Sequence, residues 1–159
     1  METKYNFIER TQKILHQYDK FVPQNEDYFD VTLLLNCCVG LLLVSNEKGK
    51  NTFLRKDKKS LKEWNINESD ITLIRNRNLE NEQKTLFNVC KHLRNSIAHC
   101  LFSAFAEGSG KTIDKIEFKD FLGENHIPEK QTFQYSSSVA DFKLFLQKLS
   151  TEANVHIKF

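Results

Sequence analysis

The chain lacks the motifs that most soluble phosphate- and metal-handling enzymes carry. It has no Gly-rich phosphate-binding loop, no His-Glu-x-x-His run and no paired metal carboxylates, which argues against an ATPase, a zinc hydrolase or a two-metal nuclease. A net charge of +2 is too small to imply a nucleic-acid partner by itself, so any basic site must come from local clustering. The four cysteines, Cys37, Cys38, Cys90 and Cys100, form no Cys-x-x-Cys pair. Set in apolar helical segments, they read as reduced core thiols rather than metal ligands. The first helix is amphipathic and charged, not a signal peptide. The most apolar stretch, Val31 to Val44, is short for a membrane span and is interrupted by Asn36 and Gly40. A cytoplasmic protein without membrane, metal or cofactor is expected.

What is present is an ordinary globular composition. At 159 residues, 40% hydrophobic and 28% charged, the chain has the size and balance of one domain, taken here as residues 1–159. Phe7, Ile14 and Phe21 repeat every seven residues, with Ile8, Leu15 and Val22 beside them and Tyr18 filling the stripe. This predicts a helix from about Thr3 to Val22, ended by Pro23. A second helix is expected over Asp27 to Ser45; its nearly all-round apolar surface fits a central helix, with some of it available to a dimer interface. From Asn46 to Glu80 the period lapses, and Lys48, Lys50, Arg55, Lys56, Lys58, Lys59 and Lys62 crowd the first half. Trp64 and Ile66 are the expected anchors, beside a short helix around Lys58 to Trp64. Either this connection is a solvated loop, or Lys56, Lys58 and Lys59 form an electrostatic collar for an RNA backbone.

A third helix is predicted from the cap residue Asn81 to Phe105, before Gly108, with Leu86, Cys90, Leu93, Ile97, Leu101 and Ala104 in one stripe. Past Gly108 the period becomes alternating. Ile116 and Phe118 alternate with Lys115, Glu117 and Lys119, and Phe133 and Tyr135 with Thr132 and Gln134, which predicts a hairpin. Ser138 and Asp141 approximate a capping box for a last helix buried through Phe142, Phe145, Leu146 and Leu149. The fold class is therefore mainly α: four main helices with a small β-hairpin before the last.

The third helix carries the chemistry. Arg94 to His99 read Arg-Asn-Ser-Ile-Ala-His, which brings a permanent cation, an amide and an imidazole within a turn and a half. Imidazole suits proton transfer near neutral pH, and guanidinium suits a phosphate. The run resembles the Arg-(polar)-x-x-x-His signature of the HEPN superfamily, matched here by Arg94, Asn95 and His99. With two helices first and a strand pair before the last, the chain looks like a plasmid-associated branch of that superfamily. The resemblance implies a metal-independent endoribonuclease of toxin–antitoxin or antiviral systems. It also implies a homodimer and, in some members, a nucleotidyltransferase antitoxin as partner. In that chemistry the ribose 2′-OH attacks the adjacent phosphate, histidine handles the proton and Arg94 stabilises the phosphorane.

Geometry constrains this reading. On an ideal helix Arg94 and His99 diverge by roughly 140°, so either the helix is distorted or two copies converge; the resemblance implies the second. His92, Asn95 and His99 fall together opposite the apolar stripe. His92 stands as a second proton carrier or an exposed helix residue, and Ser96 lacks the surroundings of a nucleophile. Glu26, Asp27 and Asp30 are acids within conceivable reach of this helix. Two rival readings remain: a non-catalytic HEPN-like binding module, and a structural helical bundle with His99 bonded to backbone.

Overall fold

The computed structural model describes residues 2–21, 30–46, 53–106 and 113–156; Val22, Glu26, Asp27, Lys48, Lys50 and Gly108 lie outside the described residues. Helices α1 (Glu2–Phe21) and α2 (Asp30–Asn46) come first. A single turn, α3 (Phe53–Lys56), and two 3-10 turns, Leu61–Trp64 and Glu68–Asp70, lead to strand β1 (Ile71–Ile74). Then follow α4 (Leu86–Ala98), strands β2 (Phe102–Phe105), β3 (Lys115–Phe121) and β4 (Gln131–Ser138), and α5 (Val139–His156).

Helix α2 is the central helix its composition implies. Val31, Leu34, Leu35, Cys38, Leu41 and Leu42 are buried, and the helix packs on α5, α4 and α1. Helix α1 is turned slightly from its seven-residue row. Ile8, Thr11 and Leu15 are buried, while Phe7 and Ile14 are 39% and 45% exposed. The cause is its docking: α1 lies mainly along α5 and meets α2 at Gly40, where the Phe7 ring fills the space a Cβ would need.

The sheet is larger than a hairpin. Four antiparallel strands stand in the order β1-β4-β3-β2, with Phe118 opposite both Tyr135 and Phe102. The four-helix bundle with a lone hairpin is therefore corrected to helices packed with a four-stranded sheet. Both extra strands have a local cause. Trp64 and Ile66 are buried anchors, as expected, and they pin the connection that delivers β1 to the edge of β4.

At the other edge, α4 stops at Ala98 instead of running to Phe105. Cys100 N–H donates to Ile97 O at 3.1 Å and Leu101 N–H to Ser96 O at 2.7 Å, with Cys100 at φ 55. That pattern is a Schellman closure, which commonly uses glycine in the left-handed position. Here cysteine takes it, so the stop carries no glycine signal. The chain then enters β2, which pairs with β3. The start also differs. Thr85, not Asn81, caps α4, its hydroxyl accepting from Asn88 N–H at 3.2 Å.

Cys37, Cys38 and Cys90 are buried free thiols. Burial pushes the Cys38 and Cys90 thiols upward, which suits inert core packing. Cys100 is the exception, exposed beyond the helix end.

Candidate functional site at the end of helix α4

Helix α4 is wedged between α2 and β3, and its residues sort by that placement. Leu86, Cys90, Leu93 and Ile97 are buried, as their stripe predicts. His92 is also buried, at 3% exposure, so it is neither an exposed helix residue nor part of a polar face. The sheet explains the difference. His92 borders the apolar stripe on the side of Val89 and Ser96, and its ring stacks on Phe133 of β4 at 5.0 Å.

Both imidazole nitrogens meet carboxylates. Nδ1 lies 2.8 Å from Asp120 Oδ2, and Nε2 lies 3.3 Å from Glu82 Oε2. A ring N–H on either nitrogen has a carboxylate oxygen to receive it, so the ring is held from both ends. Lys91 Nζ donates to both Glu82 oxygens at 3.1 Å, placing a positive charge on that side. Asp120 is 5% exposed and fully engaged. Its Oδ1 accepts the Phe121 N–H at 2.9 Å, and its Oδ2 accepts Asn95 Nδ2 at 3.1 Å as well as His92. A buried carboxylate with this many donors is the arrangement such burial requires.

Asn95 carries the order outward. With its amide nitrogen on Asp120, its Oδ1 faces Arg94 and accepts from Nη2 at 3.0 Å. Arg94 is half-buried and donates to a neutral amide, and no acid among the described residues touches it. The result is one chain of contacts, Glu82 to His92 to Asp120 to Asn95 to Arg94. Its inner part is packed in the interior, and its last member reaches the surface.

His99 ends differently. It is the C-cap of α4, with φ −99 and ψ 9, and its N–H still donates to Asn95 O at 3.0 Å. Its side chain is exposed, with no ring hydrogen bond among the described residues. This removes the reading in which His99 is a buried core histidine. Ser96 is buried with its hydroxyl donating to His92 O at 2.8 Å, a structural role rather than that of a nucleophile.

Lys56, Lys58 and Lys59 are exposed, but they are not equivalent. Lys59 pairs with Glu152 at 2.8 Å and lies over the Trp64 ring. Its hydrogen bond to that carboxylate holds the ammonium above its usual range. Asp120 and Glu82 were not among the candidates, although Asp120 carried a signal. Continuing the alternation Ile116, Phe118 by two residues puts a carboxylate on the core face of β3. Among the described residues, no three His, Cys, Asp or Glu side chains converge as a metal site, and no helix is long and apolar enough to cross a membrane.

A family model described as HEPN pEK499 p136 matches residues 1–155, a span that includes the Arg-Asn-x-x-x-His run on this core helix. The chain belongs to this HEPN family. No curated protein and no solved structure matches it. The HEPN match spans α1 through nearly all of α5, so the sheet and its buried acid, Asp120, lie within the matched residues along with the motif helix.

Proposed function

We propose that this HEPN domain is a metal-independent endoribonuclease in which Arg94, Asn95 and His99 act on a phosphodiester. The observation that carries the reading is Arg94 itself. It is a guanidinium held at the surface by a neutral amide that is anchored in turn to a buried carboxylate, so it is oriented without being neutralised by any acid among the described residues. Charge stabilisation at a phosphorane asks for such a group, since a preorganised donor need not reorganise as charge develops. Asn95 orients Arg94. His99, one turn beyond Asn95 and exposed, moves the proton. The nucleophile is the ribose 2′-OH, which confines the reaction to RNA. Lys56 and Lys58 add an attractive field for the backbone.

The brace reaches Arg94 and leaves His99 outside it, at the C-cap, and helical spacing sets the two roughly 140° apart. Two copies meeting across a two-fold axis would let one protomer's His99 face its partner's Arg94. Sedimentation should then give twice the 18.7 kDa chain mass at micromolar concentration. Mixing Arg94→Ala and His99→Ala proteins, each inactive, should restore cleavage through heterodimers that keep one intact site. A fully active monomer would exclude the composite site. The chemistry is tested with a substrate that is deoxy at the cleaved nucleotide: it should resist cutting, and equal cutting would exclude attack by the 2′-OH.

A second reading has an observation in its favour. His99 has no side chain orienting its ring among the described residues, which suits a recognition surface for a partner such as a nucleotidyltransferase antitoxin. In that case the protein binds without cutting, and pure dimer leaves RNA intact. A toxin or antiviral role fits the first reading.

A further inference from the structure

Arg55 was one of many basic residues in the connection after α2, and its position singles it out. It sits in α3, exposed, with its guanidinium carbon 4.1 Å from the centroid of the Phe87 ring on α4. Phe87 and Arg94 are seven residues apart on that helix, which places them on one face within roughly 20° and about 10 Å along the axis. Lys91 lies on the same side between them, but Glu82 neutralises it at 3.1 Å. Among the described residues, Arg55 has no acidic partner and Arg94 touches only an amide. One flank of α4 thus presents two guanidiniums that keep their charge, each held by a neutral group.

The way Arg55 is held leaves it available. A guanidinium over an aromatic face uses its π surface, and the N–H fork at its edge stays free for phosphate oxygens. Holding the side chain in advance also reduces the entropy lost on binding. Two cations set along one helix flank, with their ring and amide anchors about two turns apart, suit a chain with regularly repeating phosphates. We infer that Arg55 binds a non-scissile phosphate of the RNA strand whose scissile phosphate sits at Arg94. The strand would run along α4 past Phe87. This rests on the ribonuclease reading above and assigns the backbone contact to a residue outside the Lys56 to Lys59 cluster.

The test uses the non-cleaving His99→Ala protein and a fluorescent single-stranded RNA, with affinity measured by anisotropy across a salt series. Adding Arg55→Gln should weaken binding roughly three- to tenfold and reduce the slope of log affinity against log salt by about 0.7, the loss of one single-strand phosphate contact. Arg55→Lys should keep the slope while losing part of the affinity, because charge remains without the planar fork. Lys13→Gln on α1 should alter neither. If RNA binds the parent protein and Arg55→Gln changes neither affinity nor slope, the assignment of Arg55 is wrong while the ribonuclease reading stands. If the parent protein binds no RNA at any salt concentration, both fail together.

Discussion

Beneath α4, His92 and Asp120 are 3% and 5% exposed, and every polar contact they make has a defined partner on the helix, the sheet or the loop before α4. In the Lys56 to Lys59 segment the ammonium groups stand in solvent, and Glu152 holds Lys59 alone of the three among the described residues. In the proposed function one cluster acts by geometry, because the buried Asp120 carboxylate fixes the Asn95 amide and through it Arg94. The other is proposed to act by field, which salt screens and which needs no fixed position. The difference separates what a substitution should break: the first should cost folding and orientation, the second only attraction.

The sharpest way to break this comparison is Asp120→Ala. It strips a buried imidazole and a half-buried amide of their shared acceptor and should lower unfolding free energy by about 3–5 kcal/mol in urea titration. The double reversal Lys56→Glu and Lys58→Glu should stay within about 0.5 kcal/mol of the parent in the same titration. Equal losses in the two would end the distinction. Next, Arg94→Ala should raise the cleavage barrier by about 3–4 kcal/mol, seen as a fall in single-turnover rate, while the folded far-UV spectrum is retained. The lysine reversal comes third. It should weaken RNA binding several-fold and flatten its salt dependence, and unchanged binding would return the segment to a solvated loop.

The smallest effect belongs to Lys59 and Glu152. The hydrogen bond from Lys59 holds the Glu152 carboxyl below its usual range, so its contribution is present above the unfolded glutamate value and lost as pH falls through the lowered one. Glu152→Gln should cost less than about 1 kcal/mol at neutral pH and nothing in acid, measured by melting at both.

Much of this was legible in the sequence because it depended on local period. The apolar face of α4, the central α2, the strands around Phe118 and Tyr135 and the hexapeptide all follow from spacing of residues near one another. The misses have a common origin in contacts across the chain. Helix α4 ends at Ala98 because Cys100 takes a left-handed conformation that its residue type does not advertise, so apolar period alone predicts helix where β2 forms. His92 looked polar-facing until β3 and β4 covered it. Glu82 precedes α4 in a segment without period, and nothing local ties it to His92. Arg55 was visible only as one charge in a basic run, since its ring partner lies on another helix.

The most direct test of the central claim is cleavage of RNA by the purified protein in excess EDTA, comparing parent and His99→Ala with analysis of the product ends. The parent should yield 2′,3′-cyclic phosphate and 5′-OH ends, and His99→Ala should be slower by a hundredfold or more, on the order expected for loss of a positioned proton carrier. Undiminished cleavage by His99→Ala, or cleavage that needs added magnesium, would contradict it.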